Sequence, residues 1–344
     1  TAITFAPKIT TATITSGGRT FSGVTLNGSG TVTLSDAMDI NGSLKVLSGT
    51  FVQGLFALNV SDDVRIASGA VFTKSANSSV FTFDGNLIFE DEVGTNLGVV
   101  QIGSSPETIT LSGSLHTDKL TIGTGDTLVL SGHNLFVGTG GLYIHGLLDA
   151  TDAGSNTSTI TVSGSWLASG TGDFISGRST VLFDGSAGSY NITASGAFYN
   201  IVFSGTGGTW NASGEAFDIN GSFTLSAGTF TAPTTLNISG SFLRGNSGTF
   251  IHNSGSVILD GGDQTVSGST VFYNFTKTST EGVTLEFAVG TQQSFSGALT
   301  LKGIIKPMIV SSTSSTITGS LNMGSGTVTL TLLNIEDIDA DPGA

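Results

Sequence analysis

The chain contains no cysteine, only 5 prolines, and only 11 Lys+Arg in 344 residues. The absence of cysteine excludes a disulfide scaffold and any Cys-ligated zinc or iron–sulfur centre. So few basic residues leave no footprint for nucleic acid. Charged residues make up 10% of the chain, and its mean hydropathy is +0.27. A disordered chain has the opposite balance, with low hydrophobicity and dense charge. No run approaches the roughly 18–20 apolar residues of a membrane-spanning helix. The opening TAITFAPKITTATIT lacks a basic start followed by an apolar core, so no signal peptide is expected there. A chain that begins at Thr1 is read as a processed product or a fragment.

Glycine and hydroxyl residues are abundant instead. There are 50 glycines, about twice the usual share, without the triplet period of collagen. The acidic excess is 25 against 11, a net −14. Richness in Ser, Thr and Gly leans outward, toward a cell surface. Ten Asn-x-Ser/Thr sequons, among them Asn41, Asn77, Asn156 and Asn220, permit glycosylation, although a Ser/Thr-rich chain also generates them by chance.

Internal repeats dominate the rest. DINGSLKVLSGTF from Asp39 and DINGSFTLSAGTF from Asp218 share eight of 13 positions, at an offset of 179 (218 − 39). TVSGSWLASGTGDF from Thr161 aligns with NISGSFLRGNSGTF from Asn237, at an offset of 76 (237 − 161), and VLFDG from Val181 meets VILDG from Val257 at the same offset. These matches predict a single elongated repeat domain over 1–344. Its related modules cover approximately 21–85, 161–236 and 237–305, with a diverged stretch at 86–160 and an acidic tail at 334–344. A shorter unit ending in Gly-Ser-apolar recurs inside the modules, at 39–44, 110–115, 161–166, 218–223, 237–242 and 316–321. Its turns are spaced from 19 residues (Gly221 to Gly240) to 28 (Gly113 to Gly141). Such periods point to stacked units.

Segments such as TVTL, TLVL and TLNI alternate hydroxyl and aliphatic residues, the period of a strand with one buried face. No window carries a helical apolar stripe. The expected fold is therefore all-β with essentially no helix. It is a β-solenoid, either a parallel β-helix or a flattened two-sheet stack of β-arches, with about 15 coils of roughly 22 residues. Repeat-equivalent aromatics, Phe51 with Phe230 and Phe72 with Phe174 and Phe250, are expected to stack inside it.

Little in the sequence looks catalytic. Asp84, Asp184 and Asp260 each precede Gly, and Asp39 and Asp218 each open a DING turn. An acid repeated at one turn position reads as a residue bonding nearby backbone amides, not as half of a carboxylate pair. His116, His133, His145 and His252 show no metal-binding spacing. Neither a GxGxxG before a helix nor a GxSxG elbow occurs, so no enzyme is expected. Glu90-Asp91-Glu92 interrupts the pattern and reads as a projecting loop. Near the C-terminus Asp337, Asp339 and Asp341 alternate before Gly343, like the start of a calcium loop, though the acidic residue that closes such loops is missing. A solvated acidic tail is the alternative. Calcium is the one cofactor the sequence raises.

Soluble β-proteins protect exposed strand edges with Lys, Pro and charge. Here TATITSGG and GTVTLTLLNI read as unprotected strands at the two ends, without a capping element. Thr-x-Thr pairs, such as Thr31/Thr33 and Thr327/Thr329, do not recur at one module position. The strings FDINGSFTLSAGTF, TLNISGSF, GSVILDG and VFYNFT resemble the β-strand-repeat proteins of prokaryotic cell surfaces. The texture is similar to that of filamentous-haemagglutinin-like and autotransporter-like passengers. It is also similar to Gly/Ser/Thr-rich sheath and surface-layer proteins, including the amyloid-like sheath proteins of methanogenic archaea. The resemblance implies an extracellular structural or adhesive role and transfers no catalytic residue. The expected function is thus a self-assembling extracellular protein of a sheath, filament or surface layer, built through strand-edge and end-to-end β pairing. The alternative is an adhesin or stalk segment of a larger cell-surface protein. The expected partner is the protein itself, with cell-surface glycan as a further candidate; nucleic acid and a membrane span are not expected.

Overall fold

The computed structural model describes residues 2–8, 10–74, 79–103, 106–154, 157–212, 214, 216–315, 318–324 and 326–341. The sequons at Asn77 and Asn156, the start of the 316–321 unit and residues 342–344 of the acidic tail lie outside them. Among the described residues there is no helix, and parallel strands stack as a β-solenoid. The chain divides into two compact units, Thr1–Ser179 and Thr180–Ala344.

In the first unit one parallel ladder runs through Ala2–Phe5, Gly23–Leu34, Leu44–Gly54, Val64–Ile66, Leu87–Asp91, Thr108–Leu111, Thr127–Val129, Leu147–Asp149 and Asp173–Ile175. A second runs from Thr20–Phe21 through Met38–Ile40, Leu58–Val60, Val80–Phe83, Val99–Ile102 and Leu115–Ile122 to Leu135–Ile144. Leu44 lies opposite Val24, and Val64 opposite Leu44, a step of 20 residues each time (44 − 24, 64 − 44). One coil is therefore close to the expected length.

In the second unit the corresponding ladder includes Thr180–Phe183, Asn200–Phe203, Phe223–Thr231, Phe242–Ile251, Gln264–Ser267, Thr284–Phe287, Met308–Ser312 and Leu333–Glu336. Two further faces are built from Ala216–Ile219 through Thr327–Thr331 and from Thr270–Phe272 through Ile338–Asp341. The hydroxyl/aliphatic alternation sets which side is buried. In Thr235–Ile238, Leu236 and Ile238 point inward while Thr235 and Asn237 stay partly exposed.

The aromatics do line the interior, but the short coil, not the long module, sets their contacts. Phe51 and Phe72, which the module places in different classes, stand opposite each other and stack at 5.4 Å. In the second unit Phe183 stacks on Phe203 at 5.0 Å and Phe223 on Phe242 at 5.1 Å, each pair in register. Parallel coils put identical positions above one another, so an aromatic's neighbour lies one coil away in sequence. The 28-residue spacing is likewise no single coil, because Gly141 is in register with Lys119.

The turns add a steric reason for the repeated glycine, and two further expectations change. The repeated Gly of the Gly-Ser unit does not require a left-handed conformation. A Cβ at Gly42 would lie 1.9 Å from the Ser22 carbonyl oxygen, and at Gly240 2.5 Å from the Gly221 carbonyl carbon. Glycine is needed because successive turns touch backbone to backbone. Of the repeated turn acids, Asp260 bonds across coils, as do Asp63 and Asn200. The Asp63 carboxylate accepts from the Ile88 N–H at 2.9 Å, Asn200 Oδ1 from Ser222 N–H at 2.9 Å, and Asp260 from the Ser239 hydroxyl at 2.8 Å. Glu90-Asp91-Glu92 is not a projecting loop. Glu90 and Asp91 end the strand Leu87–Asp91, in register with Arg65 and Ile66, and Asp91 is buried. Glu90 and Glu92 face Arg65, which pairs with them at 3.2 Å and 2.9 Å.

Candidate functional site

The stacking breaks just after Asp91. Its buried carboxylate accepts hydrogen bonds from the N–H groups of Val93 (2.9 Å), Gly94 (3.2 Å) and Thr95 (2.5 Å). This carboxylate-capped turn curls the chain out of strand geometry. Gly94 and Gly98 adopt left-handed φ of 72° and 66°, which glycine permits at no steric cost. Asn96 then anchors the excursion. Its Oδ1 accepts from Gly98 N–H at 2.8 Å, and its Nδ2 donates to Asp118 at 2.7 Å.

The excursion leaves a strand position unfilled. Ala70–Lys74 pairs with Leu44–Gly54 on one side, and among the described strands it has no partner on the other. Between this edge and the excursion lies a groove of about 520 Å³, lined by Ala70–Lys74, Val93, Thr95, Asn96, Gly98 and Asp118. Val71 and Val93 are 49% and 43% exposed.

The charged groups around it are already engaged. Lys74 Nζ donates to the carbonyls of Ser79 (2.7 Å) and Leu97 (2.8 Å). Burial pushes its pKa down, against the pull of Asp118. His116 stacks on Phe136 at 4.2 Å. Burial lowers its pKa too, partly opposed by Asp91. The Lys74 ammonium is thus tied to two carbonyls, and the Asp118 carboxylate to the Asn96 amide.

A second buried cation lies in the other unit. Lys277 is fully buried in an otherwise apolar column of Ile219, Ile238, Leu259 and Leu301. Its Nζ donates to the carbonyls of Gly261 and Gly262, both at 2.9 Å, and to Gln264 Oε1. Burial lowers its pKa to about 8, with Asp260 and Asp263 pulling the other way. Gln264 in turn donates to the Ile238 carbonyl at 2.8 Å and to the Gly240 carbonyl. This cluster closes a turn from inside, with the Lys277 side chain itself buried.

Among the residues singled out from sequence, the side chain of Asp341 lies outside the described residues. Asp337 sits at a left-handed turn (φ 52°) between Leu333–Glu336 and Ile338–Asp341, with Asp339 and Asp341 on the second of these strands. Asp337 and Asp339 are exposed. His145 contacts the Ser169 hydroxyl at 3.0 Å, and His252 stacks near Tyr273 at 5.7 Å. Among the described residues no three His, Cys, Asp or Glu side chains gather as a metal site. The groove was not legible in the sequence, because it depends on which strand has no neighbour one coil on. The one available signal was the interruption at Glu90-Asp91-Glu92. No family model, no curated protein and no solved structure matches the chain.

Proposed function

We propose that this chain is a non-enzymatic, self-assembling extracellular structural protein, which builds a sheath, filament or surface layer by end-to-end and strand-edge β pairing. The observation that carries this reading is the last coil. Val328, Leu330 and Ile335 stand in register with Leu299, Leu301 and Val310, which are 1% exposed. Yet Val328, Leu330 and Ile335 are themselves 41%, 48% and 51% exposed. They continue inward-facing columns, and no described residue follows in register over them. Among the described residues, the strands that carry them, Thr327–Thr331 and Leu333–Glu336, pair with Ala298–Gly303 and Met308–Ser312 respectively and with no other strand. In the first unit, among the described residues, Ala2–Phe5 and Thr11–Ile14 pair only with Gly23–Leu34. Open edges beside uncovered apolar columns favour addition of another coil, and head-to-tail addition that does not close gives a filament. The Ser/Thr-rich composition and exposed sequons such as Asn41, Asn191 and Asn220 support an extracellular setting.

A second reading rests on the same coil. Further coils of a longer chain would cover Val328 and Leu330 equally well, making the protein a stalk or adhesin segment. Light scattering of the purified chain across a concentration series, with negative-stain microscopy, separates the two. Self-assembly gives concentration-dependent growth into rings, tubes or fibres. A strictly monomeric chain at every concentration excludes self-assembly and leaves the stalk.

A further inference from the structure

We propose that Lys277 and Gln264 join through an amide bond between their side chains, a cross-link inside the second unit made with loss of ammonia. The two side chains already touch, since Lys277 Nζ donates to Gln264 Oε1. They belong to different ladders, through Asn274–Ser279 and Gln264–Ser267, so the bond ties two faces of one coil together. Both are enclosed: Lys277 is fully buried and Gln264 is 3% exposed. The carboxamide is also held from its far side, where Nε2 donates to the Ile238 carbonyl at 2.8 Å and to the Gly240 carbonyl. Turning away from Lys277 would break both bonds. The in-register neighbours of Lys277, Leu259 and Leu301, offer its ammonium nothing. The site does not depend on how the ends of the stack are covered, and until the bond forms Lys277 titrates as a buried amine.

Lysine becomes a nucleophile when it loses its proton in an apolar site. Burial brings the Lys277 pKa down to about 8, with Asp260 and Asp263 opposing. The neutral amine keeps two N–H donors, one for each of the Gly261 and Gly262 carbonyls, and its lone pair then faces the third neighbour, the Gln264 carboxamide. A partner fixed at contact distance replaces the high concentration that an unassisted aminolysis needs. In the step, the Nζ lone pair bonds to Gln264 Cδ and the Cδ–Nε2 bond breaks. Nζ gives up a proton, Nε2 takes one, and ammonia leaves. One lysine ammonium and one carboxamide thus become one secondary amide and one ammonium ion, with nothing oxidised. Asp263 adjoins Gln264 in sequence, and its charge, like that of Asp260, reaches Nζ, so these carboxylates are placed to pass the proton. The reaction removes a buried charge, which is costly to enclose. The acceptors it abandons are not stranded. The Ile238 carbonyl still receives the Asp260 N–H at 3.1 Å, Gly240 is half-buried, and Gly262 is exposed.

The test follows the intact mass of the full chain, purified at about pH 6 and then shifted to about pH 9, on the two sides of the Lys277 titration. At the higher pH the wild type is expected to become lighter by one ammonia, and at the lower pH to do so at least about tenfold more slowly. Chymotrypsin cuts after Phe272 and Tyr273, between the two residues, so the pieces carrying Gln264 and Lys277 should stay joined. This readout identifies the bond without relying on any variant. Lys277→Met and Gln264→Met should both keep their full mass. Lys302→Met, at an exposed strand position one coil on, should react like the wild type. Chain held unfolded in guanidinium at the higher pH should yield no joined pieces, because only the fold brings the two groups together. An unchanged wild-type mass overturns the proposal, and so does an equal yield of joined pieces from unfolded chain. A loss of ammonia that persists in Lys277→Met also overturns it, since that loss marks ring closure at an Asn-Gly step such as Asn41-Gly42.

Discussion

Gly261 and Gly262 are neighbours with opposite tolerance. A Cβ at Gly261 would sit 1.8 Å from the Ser239 carbonyl oxygen, whereas one at Gly262 meets nothing within 4 Å. Neither residue adopts a left-handed φ, so the difference is purely steric. Gly261→Ala forces two turns apart and is expected to cost about 1–3 kcal/mol. Gly262→Ala is expected to be neutral or to stabilise by up to about 1 kcal/mol, through the unfolded chain. Denaturant midpoints of the two variants check this directly. Lys277 makes the second test at this scale. Lys277→Met removes the donor for Gly261 O, Gly262 O and Gln264 Oε1, and leaving buried acceptors unpaired costs about 1–3 kcal/mol. The pH dependence has a definite sign. The folded pKa, about 8, lies below the model value of 10.5. Between those values the unfolded chain holds a proton that the folded chain has lost, so stability rises with pH. The melting-temperature gap between wild type and Lys277→Met should widen from pH 8 toward pH 10.5; a gap that stays constant excludes the lowered pKa. Neither residue was legible in advance. Each depends on what the adjoining turn places against it: the Ser239 carbonyl for Gly261, and the Gly261 and Gly262 carbonyls for Lys277.

At the scale of strands and coils, the second unit is held by rings on rings. Phe242 lies 5.1 Å from Phe223, 5.3 Å from Phe250 and 5.1 Å from Phe272, and is fully buried. Phe242→Ala should cost about 3–5 kcal/mol, and Phe242→Leu markedly less. Urea titrations of both variants are the measurement; equal losses would mean that volume and ring contact do not matter at this position. The strands themselves were readable, because Thr or Ser alternating with Val, Ile, Leu or Phe specifies one buried face, and Thr235–Ile238 obeys it. What sits above what was harder to read. Offsets of 76 and 179 are conspicuous because they preserve wording, while the offset that matters physically is about 20 and preserves only polarity and size. Phe51 over Phe72 is such a pair, joined by no shared motif. The groove beside Ala70–Lys74 was hidden for the same reason. A missing neighbour is a property of two coils together, and Asp91 creates it by bonding three amides that a strand would have used otherwise.

At the scale of the whole chain, sequence and structure meet at the final coil. The unprotected GTVTLTLLNI is Thr327–Thr331 and Leu333–Glu336, with Val328 and Leu330 exposed at positions that are inward one coil earlier. Charge gives this end a sign. Residues 334–344 carry Glu336, Asp337, Asp339 and Asp341 and no base, whereas residues 1–35 carry Lys8 and Arg19 and no acid. If the last coil of one copy pairs with the first coil of another, hydrophobic cover supplies most of the driving force and opposite charge sets the direction. Val328→Lys with Leu330→Lys should then abolish wild-type assembly, because burying two ammonium groups against apolar columns is prohibitive unless they are paired. The variant monomer should melt at the wild-type temperature, since both side chains are exposed in it. Salt tests the directional term separately. Raising ionic strength screens exposed charges beyond about 10 Å at 0.1 M, so assembly should slow while its end product is unchanged. Light scattering under both conditions separates the outcomes. A double-lysine variant that polymerises like the wild type places the contact elsewhere on the molecule, and the exposed column of the last coil then belongs to a continuing stalk.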